Sequence, residues 1–376
     1  MIGNLDLVTL QHIWWVLCSV VGSLFLFLTF VQGGQTILWQ VSKNEVEKSL
    51  IINSLGRKWE LTFTTLVLFG GALFAAFPKF YATSFGGAYW VWILILFTFI
   101  IQAVSYEFRK KPNNFLGAGT YEFFLLINGS VGLLLIGAAV GTFFTGSNFT
   151  LNDYNFVTWS HPLRGLEAAF SLFNLSLGLF LVFNARVLGS LYLINNIDFK
   201  PVPELEYRLR RACFSNFTWS LPFLLYILVS LLLMSGFGLD ENGLVAMVKR
   251  KYLANLIGQP WILLILLTGV VLVVLGVLRC TKNMKSSGIW FAGPGTVLVG
   301  LAIFFTAGFN NTPFYPSKVD LQSSLTIFNA SSSHYTLTVM TYVALTIPFV
   351  LAYISYVWYA MDKKKLGTEE LGSDAY

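Results

Sequence analysis

The residues best placed to do chemistry in this chain are carboxylates and a guanidinium group at the ends of apolar stretches. Glu60 opens one such stretch in "RKWELTFTTLVLFGGALFAAFP", Glu107 and Arg109 close another in "SYEFRKK", and Glu122 opens a third in "TYEFF". A carboxylate in this position can take up a proton from bulk water, while a nearby guanidinium keeps it hydrated and tunes its pKa. Proton uptake from bulk water is therefore one chemistry that this pattern allows.

A purely structural interpretation of Glu60 remains open. An acid at the end of a membrane helix can pair with a neighbouring cation and do no more than anchor the helix end. The cations near enough in sequence or topology to do this are Arg57, Lys58 and Arg109. The sequence alone does not choose between anchoring and proton uptake.

The elements that position these residues are predicted to be membrane-spanning helices. Of the 376 residues, 56% are hydrophobic and only 11% are charged, less than half the charged share usual in soluble domains. Stretches of about 20 apolar residues recur, each long enough to cross a hydrocarbon core of about 30 Å as a helix. The sequence predicts an all-α integral membrane domain over residues 1–360 and a cytoplasmic tail over 361–376. Its nine spans are expected near 12–31, 61–77, 85–106, 122–144, 166–186, 212–235, 260–279, 288–309 and 336–360.

Charge supports this topology. Nine spans place 18 of the 24 lysines and arginines in the odd-numbered loops, at the span ends beside those loops and in the tail, a positive-inside bias that puts the N-terminus outside and the C-terminus in the cytoplasm. The second span is short, but without it the cationic first loop would move to the other side, so it is kept. The net charge of +6 is attributed to topology and to anionic lipid headgroups rather than to nucleic acid.

Several chemistries are excluded by what the chain lacks. No two of its three histidines are placed to clamp a haem between helices, and its three cysteines have no CxxC spacing for a metal site or a disulfide framework. There is no GxxxxGK[ST] phosphate loop. The middle of every predicted span lacks Asp, Glu, Lys and Arg, which weighs against a voltage sensor or a transporter coupled through a midplane carboxylate. We therefore expect that this chain binds no haem or metal by itself.

Five stretches of the chain resemble subunit II of the cytochrome bd quinol oxidases. They are "HIWWVLCSVVGSLFLFLTFVQGGQ", "LIINSLGRKWE", "GGALFAAFPKFYATSF", "SYEFR" and "SSLTIFNASSSHYTLTVMTYVA". They occur in the family's order over most of the chain, and the length and span number agree. The last is the most specific, because a loop of that length has little reason to recur by packing alone.

The resemblance implies a fold of two four-helix bundles plus one extra helix, in the bacterial cytoplasmic membrane. It implies a haem-free subunit that pairs obligately with subunit I, which carries three haems of b and d type and the quinol site. Such a complex oxidises quinol and reduces O2 to water. Membrane lipid is a further expected partner, a small accessory subunit is left open, and no nucleic acid is expected.

The resemblance also assigns residues. "KWE" matches the family's Trp-acid pair, so Trp59 and Glu60 are candidates for the entry of a cytoplasmic proton path, and "YEFR" makes Glu107 and Arg109 its supports. One departure matters, because "VQGGQ" stands where many members carry two acids in a DGFD-like motif. Gln32 and Gln35 can form hydrogen bonds but cannot release a proton at physiological pH.

Two other functions stay open at this stage. The chain could be a small-molecule transporter that shares only membrane-helix composition with the oxidases. Alternatively, it could belong to the family as a purely structural subunit, with every interfacial acid an anchor.

Overall fold

The computed structural model describes residues 2–371. Within that range, nine helical segments are long and apolar enough to cross a membrane, which confirms the all-α prediction and the number of spans. Their arrangement as two four-helix bundles plus one helix stays a prediction. The spans are Leu7–Thr36, Glu45–Ala76, Tyr89–Phe108, Ala118–Thr145, Leu172–Asn196, Pro203–Leu233, Pro260–Thr281, Ile289–Gly308 and His334–Asp362.

Breaks divide several spans into shorter helices, and two small hairpins lie in the loops. The α-helices are α1 (Leu7–Leu28), α2 (Phe30–Thr36), α3 (Leu38–Val41), α4 (Glu45–Gly56), α5 (Trp59–Ala76), α6 (Pro78–Tyr81), α7 (Tyr89–Phe108), α8 (Ala118–Ile127), α9 (Leu133–Thr145), α10 (Leu172–Asn196), α11 (Pro203–Leu233), α12 (Lys251–Gly258), α13 (Pro260–Thr281), α14 (Ile289–Gly308), α15 (His334–Ala344) and α16 (Ile347–Asp362). The antiparallel hairpins pair β1 (Phe149–Leu151) with β2 (Val157–Trp159) and β3 (Gly236–Leu239) with β4 (Val245–Val248).

Local sequence explains where the second and fourth spans begin, end or bend. The second span, the shortest predicted, forms helix α5, which stops before Pro78. The ring of a proline clashes with the residue before it, so that residue seldom adopts the helical conformation. In the fourth span, α8 and α9 are joined by a π-helical turn over Asn128–Gly132. A π-turn displaces side chains from the regular helical face, and such turns occur often at functional sites. Here the turn sets the position of the buried Asn128 side chain.

Glycines allow α2 and α10 to approach with backbones in contact. A Cβ atom on Gly33 would lie 1.8 Å from the carbonyl oxygen of Ala185, and one on Gly189 would lie 2.3 Å from the amide nitrogen of Gly34. No side chain fits at either point. The contact fixes α2, which carries Gln32 and Gln35, against the bundle.

Replacing Gly33 by alanine is therefore expected to destabilise the protein. Overpacking a well-packed site costs about 1–3 kcal/mol, and the upper end applies here because the obstructing atoms belong to the backbone of α10. Thermal unfolding of the detergent-solubilised protein measures the effect. Gly71→Ala is the matched control, since no atom lies within 4 Å of the added Cβ. Equal melting temperatures for the two variants would contradict the close contact.

The chain after α16 returns to the end of the bundle that carries the first loop. We call residues 362–371 the tail strap. Leu366 is fully buried, its N–H donates to Asn196 O at 2.9 Å, and its carbonyl accepts from Asp198 N–H at 2.9 Å. The Ser54 hydroxyl of α4 donates to Asn196 Oδ1 at 2.6 Å. The first loop, the fifth loop and the strap thus lie on one side, as the charge pattern requires.

Candidate functional site

A cluster of buried charges joins four segments at this end of the bundle. Glu122, near the start of α8, accepts hydrogen bonds from Trp39 Nε1 at 2.6 Å and Lys48 Nζ at 2.8 Å. Arg109, directly after α7, donates to it from Nε at 3.1 Å and from Nη2 at 2.8 Å. The Arg109 side chain also pairs with Glu45. Both Arg109 and Glu122 are only 2% exposed, so each depends on the other for compensation of a buried charge.

Lys110, which follows Arg109 in the chain, adds positive charge at the surface beside this cluster. Burial lowers the pKa of the Lys110 ammonium, and the neighbouring Arg109 guanidinium lowers it further, whereas the Glu45 carboxylate opposes both effects. Lys110 itself is exposed. This end of α7 thus presents a concentration of positive charge to solvent, as expected at a cytoplasmic membrane surface.

Glu60 stands apart from this cluster. It is exposed in the first turn of α5, and no ion pair or side-chain hydrogen bond involves it among residues 2–371. The three cations suggested as its anchors pair with other acids. Arg57 pairs with Glu370 at 2.6 Å and Lys58 with Asp362 at 3.1 Å. Arg109 belongs to the buried cluster. The carboxylate of Glu60 thus lies on the surface of this chain without a cation to neutralise it among the described residues.

Glu107 is a surface residue. Its side chain is 59% exposed and pairs with Lys111, one helical turn further on, at 3.1 Å. Residues two apart on a helix do not face each other, so Glu107 and Arg109 point to different surroundings. The two residues of the "YEFR" stretch therefore have different roles.

Trp59 connects the start of α5 to the end of α7. Its ring stacks on Tyr106 with centroids 5.8 Å apart and planes inclined by 10°. The indole Nε1 of Trp59 is buried, and no hydrogen-bond acceptor for it lies in the described part of the chain. Of the four residues predicted for proton entry, Trp59 and Arg109 are thus held close to α7, while Glu60 and Glu107 lie at the surface.

A line of buried polar side chains runs from the cluster into the membrane along α7. Thr98, Gln102, Ser105 and Arg109 follow the spacing of one helix face, and each is 3% exposed or less. At 1.5 Å per residue this line, which we call the polar seam, is about 16 Å long. It ends at Thr98, near the middle of α7.

Side chains from α2 and the π-turn complete the seam. Gln102 Nε2 donates to Gln35 Oε1 at 2.7 Å, Gln35 Nε2 donates to Asn128 Oδ1 at 3.4 Å, and Asn128 Nδ2 donates to Thr98 Oγ1 at 3.5 Å. Gln32, three residues before Gln35 on α2, is fully buried, and neither of its amide atoms has a partner among the described residues. The Oε1 atom of Gln102 also lacks one. The seam therefore contains buried polar atoms that the protein itself does not satisfy.

The histidines do not fit an axial haem site. His12 Nδ1 lies 2.7 Å from Val8 O, and its ring lies between two phenylalanines. His334 Nε2 lies 2.8 Å from Leu5 O, and His161 lies in a loop with Nδ1 3.5 Å from a Glu167 oxygen. No group of three or more His, Cys, Asp or Glu side chains between residues 2 and 371 is arranged to hold a metal ion.

Known proteins resemble the chain over almost its whole length. The family model described as cytochrome bd terminal oxidase subunit II matches residues 10–361. The cytochrome bd-I ubiquinol oxidase subunit 2 of Escherichia coli (strain K12) is 28% identical, with 95% of each chain covered. The cytochrome bd ubiquinol oxidase subunit 2 of Bacillus subtilis (strain 168) is 23% identical, with 96% of this chain and 98% of the relative covered.

A solved structure shares the fold. A chain of the bd oxidase from Geobacillus thermodenitrificans superposes with a TM-score of 0.58 at 13% identity, covering 94% of this chain and 98% of that one. Identity this low is evidence of a common fold alone. The family model, by contrast, spans all nine membrane helices, from α1 to the end of α16. The chain therefore belongs to the cytochrome bd terminal oxidase subunit II family.

Proposed function

We propose that this chain is the haem-free subunit of a quinol:O2 oxidoreductase in the bacterial inner membrane and that it supplies cytoplasmic protons for the reduction of O2. Membership of the family makes it a component of a terminal respiratory oxidase, and both relatives above are named as ubiquinol oxidase subunits. The proposed partner is a haem-bearing subunit I, because the histidines of this chain do not fit a haem. The family match does not favour the transporter alternative.

The observation that carries the proton-entry role is the exposed, unpaired carboxylate of Glu60 at the mouth of a buried polar route. Glu60 takes a proton from bulk water beside Trp59, which stacks on Tyr106. Tyr106 lies between Gln102 and Arg109 on α7, so the route continues along the polar seam.

The amides of the seam do not ionise, so they do not themselves carry the proton. Buried polar groups are almost always hydrogen-bonded to protein or ordered water. The unsatisfied atoms of Gln32, Gln102 and Trp59 are therefore sites for water, and hydrogen-bonded water transmits the proton between them. Arg109 has a positioning role, because its pair with Glu122 fixes the end of α7. Glu107 contributes surface charge.

The partner is tested by gentle purification of the tagged chain from its native membrane, followed by a reduced-minus-oxidised visible spectrum. We expect b- and d-type haem bands to copurify with a second large membrane subunit. A colourless, folded preparation without a large partner would contradict the proposed assembly. Accessory subunits, if any, would appear in the same preparation.

Glu60→Gln tests the proton role. The variant keeps the shape and polarity of the side chain but cannot bind a proton. Quinol-driven oxygen uptake by the purified complex should therefore fall about tenfold. This loss is smaller than is usual for a missing acid-base group, because bulk water still reaches the start of the route. The haem spectrum should be unchanged. Glu107→Gln is the matched control, since it neutralises another exposed carboxylate at the same end. Wild-type turnover in Glu60→Gln would remove Glu60 from the mechanism and leave this end of the chain structural.

A further inference from the structure

Lys58 and Asp362 form an ion pair inside the protein where α5 begins and α16 ends. Lys58 Nζ lies 3.1 Å from Asp362 Oδ1, and the two side chains are only 2% and 9% exposed. Within the described chain, neither oxygen of Asp362 receives a well-oriented hydrogen bond. The ammonium group has only the Met361 sulfur at 3.6 Å and the Trp358 ring, 5.1 Å from its centroid, as further neighbours.

Such a pair is poorly compensated for the loss of water. A buried ion pair repays its desolvation only when further hydrogen bonds satisfy both groups, and here almost none do. Binding a proton removes the charge of the carboxylate, and releasing it restores the ion pair. A site of this kind can change its proton occupancy without a large rearrangement.

The pair lies beside the proposed entry. Lys58 directly precedes Trp59 and Glu60 at the start of α5. On the inner side, Trp358 contacts Tyr192 of α10, with ring centroids 6.4 Å apart, and Trp59 stacks on Tyr106 of the route into the seam. The pair thus adjoins the exposed carboxylate in sequence and, through Trp358, contacts the buried side of α10.

Among residues 2–371, few other ionisable groups act on the pair. They are Arg57 from the turn before α5 and Tyr192 from α10, with Glu370 of the tail strap paired to Arg57. The charge of Arg57 is balanced by Glu370, so Asp362 is the buried carboxylate at this point.

We propose that the Lys58–Asp362 pair is a proton relay between Glu60 and the polar seam, an inference that rests on the proposed function. A proton delivered by water from Glu60 binds a carboxylate oxygen of Asp362 and leaves a neutral acid beside the ammonium. The proton then passes to water beside Trp59, and the ion pair is restored. One proton enters and one leaves, and no electron is transferred.

The alternative is a latch that only fastens the ninth span. No residue of α16 is fully buried, and the pair, the tail strap and the aromatic contacts of Trp358 attach it at this end. Both roles predict damage when one partner is removed, because an unpaired charge would stay buried. Removing both charges together separates the two roles.

The decisive variant replaces the pair by apolar side chains, Lys58→Met with Asp362→Leu, in the complete complex. Packing can hold the latch in such a variant, since buried ion pairs are often replaced by apolar groups without loss of stability. With the haem spectrum and melting temperature retained, the relay predicts oxygen uptake lowered about tenfold. Wild-type turnover in this variant would overturn the relay.

The result is separable from the proposed function. Slow turnover in Glu60→Gln with normal turnover in the double variant would reject the relay alone, whereas normal turnover in Glu60→Gln would reject the proton-entry role. The matched control is Arg57→Gln with Glu370→Gln, which removes a partly exposed pair at 2.6 Å in the same region and should leave turnover unchanged.

A second variant covers the case in which the double variant fails to assemble. Asp362→Glu keeps the ion pair and the carboxylate but moves the carboxylate by one methylene. If the pair relays protons, turnover is retained and the limb of its pH profile set by the pair is displaced. A profile identical to that of the wild type would overturn the relay.

Discussion

Replacing Glu122 by leucine should destabilise this subunit more than any other single change at the same end of the bundle. Its carboxylate receives four hydrogen bonds, two of them from Arg109, and both side chains are only 2% exposed. Without it, Arg109 keeps only Glu45, which is 63% exposed. Breaking a buried pair by removing one partner costs about 3–5 kcal/mol. We expect a strongly lowered melting temperature and loss of the copurifying haem subunit.

Glu107→Leu is the control for this experiment. Glu107 is also an acid beside the end of α7, but it is 59% exposed and pairs only with Lys111, and such surface pairs contribute about 0–1 kcal/mol. Thermal unfolding of the two purified variants side by side gives the comparison. If Glu122→Leu unfolds at the same temperature as Glu107→Leu, the buried cluster does not stabilise the fold.

The sequence predicted the helices well because hydropathy and charge report membrane crossing directly. It also identified Arg109 and Glu122 as interfacial charges, since both interrupt apolar surroundings. The sequence could not show which side chains form hydrogen bonds or ion pairs with Arg109 and Glu122. Trp39 and Lys48 lie 83 and 74 residues from Glu122 in the chain, and no spacing rule connects residues so far apart. The sequence accordingly offered Arg109 as one of three possible partners of Glu60, whereas in the structure Arg109 pairs with Glu122 and Glu45.

The polar seam was partly visible in the sequence. Thr98, Gln102 and Ser105 share one face of α7 with Arg109, and polar residues at helical spacing within an apolar stretch are a detectable signal. Neutral amides carry no charge, so a prediction based on ionisable groups does not include them. Their partners on α2 and the π-turn could not have been found, because they depend on helix packing and on a local departure from regular helix.

The structure also gives Gln35 a specific place. The resemblance cast doubt on proton entry at Gln32 and Gln35, because amides replace the acids of the DGFD-like motif there. Gln35 nevertheless joins Gln102 to Asn128, so a hydrogen-bonded connection persists although no acid is present. In this chain the position connects neutral amides, and the groups proposed to bind protons are Glu60 and the Lys58–Asp362 pair.

Gln102→Leu should therefore interrupt the proposed route at its centre. Leucine removes the donor to Gln35 Oε1 and places an apolar side chain where the seam needs water. Quinol-driven oxygen uptake should fall about tenfold or more, as for a blocked proton transfer, with the haem spectrum retained. The variant also leaves a buried acceptor unpaired, which costs about 1–3 kcal/mol of stability, so a control must match that loss.

Gln11→Leu provides that control. Gln11 is a buried glutamine of α1, 4% exposed, and its Nε2 donates to Phe328 O at 3.1 Å and to Ser331 Oγ at 2.6 Å, remote from the seam. Both variants should lose stability, because Gln102→Leu leaves one buried acceptor and Gln11→Leu leaves two partly buried acceptors without a donor. Only Gln102→Leu should slow turnover, since only that side chain lies on the route. Equal turnover in the two variants would mean that the seam stabilises the fold without carrying protons, and that the route from Glu60 lies elsewhere.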